Sequence, residues 1–496
     1  MHAAVTADHH PEFDTRPDKP MHISQPSLLS HTSGFNNYRG LLNLCIVLLG
    51  MSTSRLVLEN LIKYGILMDP RIWFNIFLED PYSWPNLALI IFLNFFILFA
   101  LWIENLASKD LIGPQLTKGL VVINTMTVFL FPMATILYLK PNPLGSFVSL
   151  GAYSIVFLKL ISYAATNQWC RAALKQEGAG VGAAAAAKAD KNREVRRSPR
   201  RHSTPQPTLR KRSSHRRNSD GGSSSQANGN AASDHDEVNT APLVNYPDNL
   251  NILDIYYFMM VPTLCYELNF PRTKRMRKRF LIRRVVELLF LTQLCLCLIQ
   301  QWMIPTVLNG REPFTNMDVK RIVERVLKLA VPNHIVWLIF FYAFFHSLMN
   351  ISAEVCYFAD RQFYLDWWNS ETIAYFWKNW NIPVHRWCVR HIYKPLRIKG
   401  YSRTKCQLVV FLVSAIFHEY LVSIPLQMFR LWAFFGMLLQ LPLALLTERV
   451  DGHVGNMLVW LSLIIGQPVA IFLYFHDYLV LHGTLLSQVA NATATP

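Results

Sequence analysis

The sequence predicts an all-α, polytopic membrane protein with about nine transmembrane helices. Of its 496 residues, 52% are hydrophobic and only 16% are charged, whereas typical soluble domains carry about 25% charged residues. The mean hydropathy of +0.20 agrees with this class. The third observation is spacing, because apolar stretches of about 20 residues, long enough to cross the hydrocarbon core, recur along the chain.

In chain order, the first thirty residues are polar and lack an apolar core, so no cleavable secretory signal is expected there. Nine apolar stretches then follow as candidate spans. They are residues 41–64, 84–104, 116–139, 144–166, 281–300, 326–351, 408–425, 431–447 and 456–480.

A composition break separates the fourth and fifth spans. This segment is rich in Ala, Ser, Arg and Gly and has almost no large apolar residues, so it is expected to be disordered. The predicted organisation is a disordered cytosolic tail (1–33), the first four helices (34–170), a basic disordered cytosolic linker (171–245), a catalytic core (246–480) containing a cytosolic segment (352–407), and a lumenal tail (481–496).

Charge sets the predicted orientation. Residues 171–220 hold 14 Lys and Arg against 4 Asp and Glu, and residues 352–407 hold nine against four. Both segments follow an even number of spans, so the positive-inside rule places them and the N terminus in the cytosol and the C terminus in the lumen. Such local charge argues against a nucleic-acid-binding fold and for a basic segment beside an anionic membrane surface. The basic run 271–284 has two interpretations, a headgroup anchor or a surface that attracts an anionic substrate.

His418 and Glu419 lie in the middle of the seventh span. An ionisable residue at membrane depth suggests a functional site. The alternative for His418 is a structural role, in which the histidine is hydrogen-bonded to a neighbouring helix. A structural role of that kind is the expectation for His346. Imidazole titrates near neutrality and can accept a proton from an alcohol. For Glu419 two roles are open, contact with a polar group of a substrate or pairing within the bundle.

Residues 363–385 are too polar to span a bilayer and too apolar for an ordinary loop. Their asparagines offer amide hydrogen bonds, and Trp367, Trp368, Trp377 and Trp380 are typical of the water–lipid boundary. The Lys and Arg residues that follow could meet phosphates. The segment therefore suits the head group of coenzyme A, and the alternative is an interfacial amphipathic helix that only braces the bundle.

The segment "FYLDWWN" (363–369) resembles the signature of the membrane-bound O-acyltransferases (MBOAT family) that esterify sterols and diacylglycerol, and His418 matches that family's intramembrane histidine. The stretches "CYELNFPR", "NWNIPVHRWCVRHIYKP" and "WLSLIIGQPVAIFLYFHDY" are similar to the diacylglycerol-acylating members. The likeness covers about residues 34–480, with the basic linker as the chief departure.

This resemblance implies an MBOAT fold in the endoplasmic reticulum membrane and transfer of an acyl group from fatty acyl-CoA to diacylglycerol. It implies a homodimer or homotetramer, with membrane lipid as a further partner and no metal or cofactor. His418 is implied as the catalytic base and Asn381 as the second catalytic residue. Implied substrate-binding residues are Trp380, His385, Tyr393, Lys394, Arg403, Ser414, Glu419 and Gln467, and the motif residues are Phe363, Tyr364, Asp366, Trp367, Trp368 and Asn369.

Two other functions fit parts of the pattern. A sterol O-acyltransferase would use the same base with another acceptor pocket, but "NWNIPVH" and "CYELNFPR" favour diacylglycerol. A transporter would also place ionisable groups inside the bundle, but it would not need the aromatic, amide-rich segment, and the sequence has no apparent inverted repeat.

Overall fold

The computed structural model describes residues 24–62 except 29, 31–32, 34 and 36, then 84–197, 243–299, 303, 306–307, 318–450 and 452–493. The chain divides into two compact units, residues 1–169 with 237–496, and residues 170–236. The predicted all-α class is confirmed for the described residues, whose only extended pairings are the isolated bridges Gln25–Asp360 and Arg272–Phe358.

The α-helices, numbered in chain order, are α1 (Arg39–Ile62), α2 (Trp84–Ser108), α3 (Pro114–Leu139), α4 (Pro143–Arg197), α5 (Ile252–Met260), α6 (Lys278–Leu298), α7 (Val319–Phe341), α8 (Met349–Val355), α9 (Ile373–Asn379), α10 (Ile382–Cys388), α11 (Lys394–Ile398), α12 (Arg403–Leu426), α13 (Trp432–Leu438), α14 (Gln440–Thr447) and α15 (Gly452–Thr493). Short π-helical segments, Tyr342–Leu348 and Val389–Tyr393, join α7 to α8 and α10 to α11.

Six of the predicted spans are confirmed as helices long and apolar enough to cross a membrane. Among the described residues these are Pro85–Ser108, Pro114–Leu139, Pro143–Gln176, Val319–Val355, Arg403–Leu426 and Gly452–Tyr478. The total of nine stays a prediction, as do the sidedness of the loops and termini.

Two of the remaining predicted spans differ from expectation. Residues 431–447 form two helices, α13 and α14, interrupted at Leu439, so no single helix there is long enough to span. Helix α6 covers the predicted span 281–300 only as far as Leu298 and begins with charged residues. Glu287 accepts hydrogen bonds from Arg283 and Arg284 at 3.0 and 2.6 Å. The 41–64 stretch is helical to Ile62, and its last residues lie outside the described part of the chain.

The predicted disordered regions are described only in part. Helix α4 continues to Arg197 and so includes the beginning of the linker, because the run "GAAAAAKA" consists of the residue with the highest helix propensity. Residues 198–242 and 1–23 lie outside the described residues. Near the end of the predicted tail, Ser27 is buried and its hydroxyl lies 3.1 Å from Nδ1 of His346.

The FYLDWWN segment folds into the core of the bundle. Phe363, Tyr364, Trp367 and Trp368 are each at most 3% exposed. The prediction that Trp367 and Trp368 lie at a water–lipid boundary is therefore wrong, because both rings pack against other protein rings. Residues 363–369 act as a buried connector between the span Val319–Val355 and the short helices α9 and α10.

Candidate active site

His418 lies on α12, a helix that begins after Ser402, whose hydroxyl accepts a hydrogen bond from the Lys405 backbone N–H. Nδ1 of His418 is 2.8 Å from the carbonyl oxygen of Ser414, one turn earlier. A carbonyl oxygen can only accept, so Nδ1 carries the proton and donates it. Nε2 is then the unprotonated nitrogen, and its lone pair is available to a substrate.

The imidazole of His418 is accessible. The side chain retains substantial accessible surface, so there is space beside Nε2 for another molecule. Ser414, whose hydroxyl is 3.5 Å from Nδ1, is only partly buried.

Glu419, next to His418, is directed into protein rather than toward this space. One carboxylate oxygen accepts hydrogen bonds from the Ser423 hydroxyl and from Leu431 N at 2.9 Å. The other accepts from Phe434 N at 3.1 Å and from the Tyr474 hydroxyl at 2.9 Å. Of the two roles open for Glu419, pairing within the bundle is the one observed, and it ties α12 to α13 and α15.

Asn381 is the N-cap of α10, where its side-chain oxygen accepts from Val384 N at 3.3 Å. Trp380 stacks on Phe376, with ring centroids 5.9 Å apart, and also lies 5.5 Å from Phe345. His385 follows one turn later on α10, and its pKa is lowered to about 4 by burial first and then by the positive charges of Lys378 and Arg386. His385 is therefore neutral at physiological pH.

Tyr393, Lys394 and Arg403 complete the predicted substrate-binding set along the chain as far as the start of α12. Tyr393 and Lys394 are partly buried where the second π-helical segment meets α11. Arg403 is exposed at the first residue of α12, so it lies about 22 Å along the helix axis from His418. The position of Arg403 suits contact with a long substrate at a point remote from its reacting end.

Gln467 lies on α15, and its side-chain oxygen accepts a hydrogen bond from Nδ2 of Asn333 on α7 at 3.0 Å. Two turns further along the same face of α15, Tyr474 donates to Glu419, the neighbour of His418. Asn333 is not among the residues predicted from the sequence. Its only signal is a polar pair, Asn333 and His334, directly after a proline inside an apolar span.

The motif residues support these helices by packing and hydrogen bonds. Trp367 packs edge-on against Trp337 of α7 and at a tilt against Trp460 of α15, with centroids 5.2 and 5.6 Å apart. Asp366 accepts from the Tyr375 hydroxyl at 2.9 Å and from Asn369 Nδ2 at 3.2 Å.

Other motif residues form hydrogen bonds with residues from distant parts of the chain. Nδ2 of Asn369 donates to the Asn37 carbonyl at 2.7 Å, and the Tyr364 hydroxyl lies 2.8 Å from Nδ1 of His346. His346 therefore has the buried hydrogen-bond partners expected of a structural histidine. Among the described residues, no group of three His, Cys, Asp or Glu side chains is arranged to hold a metal ion.

The family comparison gives the enzyme class. The bundle has helices of membrane-spanning length and an accessible imidazole on one of them, and the membrane-bound O-acyltransferase family profile matches residues 142–476. The chain belongs to this family and is an acyltransferase.

Comparison with individual proteins gives more specific similarities than the family profile does. Over 463 residues, the chain is 51% identical to diacylglycerol O-acyltransferase 1 of Bos taurus, covering 93% of this chain and 85% of that protein. It is 50% identical to the Homo sapiens protein of the same name, covering 93% and 84%. The Dictyostelium discoideum protein of that name is 35% identical, covering 95% of this chain and 67% of its own length.

Proposed function

We propose that this chain transfers a fatty acyl group from acyl-CoA to the free hydroxyl of diacylglycerol, producing triacylglycerol and CoA. The observation that carries the proposal is the His418 imidazole, held by Ser414 with Nε2 unprotonated and accessible, on a helix long and apolar enough to cross a membrane. A base in that position suits an acceptor alcohol that is dissolved in the bilayer. The names of the relatives supply the acyl acceptor.

His418 acts as the general base in this proposal. Nε2 accepts the proton of the diacylglycerol hydroxyl while the hydroxyl oxygen attacks the thioester carbonyl. The tetrahedral intermediate collapses as the carbon–sulfur bond breaks, and the imidazolium returns its proton to the leaving CoA thiolate. The protein forms no covalent acyl intermediate, because the acceptor attacks the thioester directly.

The developing oxyanion needs fixed donors, and two amides are suited to this role. In both Asn381 and Gln467 the side-chain oxygen already accepts a hydrogen bond from protein, which leaves the NH2 group to face an anion. Removing one such donor typically lowers kcat by about 10²–10³-fold. Replacing Asn381 with Ala should therefore lower kcat more than it raises KM for acyl-CoA.

The acyl-CoA nucleotide binds on the cytosolic side, near Lys394 and Arg403, and its acyl chain lies among the helices. Diacylglycerol enters laterally from the membrane. We place the enzyme in the endoplasmic reticulum membrane as a homodimer or homotetramer, with the N terminus cytosolic and the C terminus lumenal. Terminal epitope tags in sealed microsomes test the orientation, since only the N-terminal tag should be accessible to added protease.

The direct test is a product assay with a choice of acceptors. Membranes containing the wild type or His418→Ala receive labelled oleoyl-CoA with diacylglycerol and cholesterol together. We expect labelled triacylglycerol from the wild type and none above background from His418→Ala, whose insertion is checked by an unchanged elution profile in detergent. Labelled steryl ester would overturn the acceptor, and triacylglycerol from the alanine variant would overturn the role of His418.

A further inference from the structure

Asn333 is a buried polar residue on a membrane-spanning helix, and it is 6% exposed. Its Nδ2 donates to Oε1 of Gln467 at 3.0 Å, joining α7 to α15. A side-chain amide has one accepting end and one donating end. Because Oε1 is held by Asn333, the Nε2 end of Gln467 is directed to the opposite side.

The two helices that carry this pair are held together by aromatic rings. Trp337 lies one turn after Asn333, and Trp460 lies two turns before Gln467. Trp367 of the FYLDWWN segment contacts both of these rings, at centroid distances of 5.2 and 5.6 Å. His334 completes the cluster, 5.3 Å from Trp337 and 5.5 Å from Trp460. Interlocked rings of this kind limit rotation of either helix and so keep the two amides in register.

The sequence separation of the pair excludes a local explanation. Asn333 and Gln467 are 134 residues apart, so the bond contributes nothing to forming either helix. The side chain of Gln467 is only partly buried, whereas that of Asn333 is almost fully buried. The buried member therefore anchors the bond, and the accessible member keeps its Nε2 end available to another molecule.

We propose that Asn333 is a positioning residue for acyl transfer: it fixes the Gln467 side-chain amide with Nε2 directed at the thioester carbonyl, so that this amide donates to the developing oxyanion. The inference rests on the proposed function, in which Gln467 supplies such a donor. Without Asn333 the Gln467 amide is free to rotate and to present its oxygen, which would repel the negative charge that develops on the carbonyl.

Asn333→Leu is the discriminating change, because leucine has nearly the same size but offers no N–H to Oε1 of Gln467. The Gln467 amide is then free to rotate, and we expect kcat to fall by about 3- to 10-fold, comparable to one ordinary hydrogen bond. Asn333→Ala removes the same donor and should lower kcat by a similar factor. Neither change should raise KM for oleoyl-CoA by more than about twofold.

A double-mutant cycle separates positioning from stability. If Asn333 acts through Gln467, Asn333→Ala combined with Gln467→Ala should lose no more kcat than Gln467→Ala alone. Asn124→Ala is the matched control, because Asn124 is similarly buried and its Nδ2 makes one interhelical bond, to Phe96 O at 3.2 Å. We expect it to lower thermal stability about as much as Asn333→Ala while kcat stays unchanged.

The outcomes distinguish a failure of the proposed donor role of Gln467 from a failure of the positioning role of Asn333. Full activity of Gln467→Ala would remove Gln467 as a donor and with it this part of the proposed function. A large loss in Gln467→Ala together with full activity of Asn333→Leu would overturn the positioning role alone, since the Gln467 amide would then keep its orientation without Asn333. Additive losses in the double mutant would show that Asn333 acts independently of Gln467.

Discussion

At the scale of single residues, the chemistry depends on how each polar group is oriented by a neighbour. Ser414 uses its backbone carbonyl, so the tautomer of His418 is set by the helix and does not depend on another side chain. Val384 N and Asn333 likewise engage the oxygen ends of the Asn381 and Gln467 amides. All three arrangements leave the reactive end of the side chain free.

Glu419 is the residue whose removal should disturb this orientation most. All four hydrogen bonds that its carboxylate oxygens make are accepted ones, and an amide can accept only through its oxygen. Glu419→Gln therefore places NH2 against a backbone N–H, of Leu431 or of Phe434, and such a mismatch costs about 1–3 kcal/mol of stability. We expect a lower melting temperature, and a lower kcat because His418 is the neighbouring residue on α12. The measurement is thermal unfolding in detergent alongside triacylglycerol formation.

Glu448→Gln is the matched control for this change. Glu448 is exposed at the end of α14, so the same loss of charge should leave both readouts unchanged. Wild-type behaviour of Glu419→Gln would mean that the carboxylate contributes no more than an exposed one, which contradicts the anchoring role.

At the scale of elements, the FYLDWWN segment and the residues just after it pack closely against the N-terminal ends of two helices, α1 and α15. Nδ2 of Asn456 on α15 donates to the carbonyls of Trp368 and Ser370 at 3.1 and 2.8 Å. A Cβ atom on Gly455 would lie only 2.0 Å from the Glu371 carbonyl oxygen, and one on Gly40 of α1 only 1.5 Å from that of Trp368. Glycine is required at both positions because backbone occupies the space of a side chain.

Gly455→Ala should therefore push α15 away from the segment. We expect it to destabilise the protein by about 1–3 kcal/mol, as for overpacking in a core, and to lower activity by moving Gln467. The control is Gly151→Ala in α4, where an added Cβ meets nothing within 4 Å. That change should stabilise by about 0.5–1 kcal/mol through helix propensity. Equal melting temperatures for the two variants would contradict the close packing.

At the scale of the whole molecule, two buried ionisable groups outside the spans make folding sensitive to acid in opposite directions. Nε2 of His391 lies 2.9 Å from the Ser162 hydroxyl, which itself accepts from Tyr266 N at 2.8 Å. Burial, then the charge of Arg390, lowers the pKa of His391 to about 3. Burial raises the pKa of Asp254 to about 6, against the opposing effect of the Tyr266 hydroxyl bonded to it.

The direction in which each group changes the stability with pH follows from proton binding. Between pH 6.5 and 3 the unfolded chain protonates His391 and the folded chain does not, so stability falls as the pH falls. Between pH 6 and 3.8 folded Asp254 keeps a proton that the unfolded chain has lost, so its contribution falls as the pH rises. His391→Gln should therefore flatten the loss of melting temperature between pH 7.5 and 4.5, and Asp254→Asn should steepen it. Parallel pH profiles for both variants and the wild type would contradict these assignments.

Local sequence was sufficient to predict the helical membrane class, six of the spans and the intramembrane position of His418. Hydrophobicity over about 20 residues is a local property, and the bilayer requires every backbone polar group in a span to be paired within a helix. The MBOAT resemblance likewise rested on contiguous stretches such as residues 363–369, and the family match confirms it.

Only the tertiary structure decided the rest. The pairing of Asn333 with Gln467, the orientation of Glu419 toward α13 and α15, and the burial of Trp367 between α7 and α15 all join residues that are distant in sequence. No periodicity encodes such contacts, because they depend on which helices become neighbours when the bundle packs. The sequence by itself therefore determined that a histidine lies on an apolar helix of membrane-spanning length. The packing of helices determined which polar side chains pair across the bundle, since hydrogen bonds are directional and need both partners within about 3 Å.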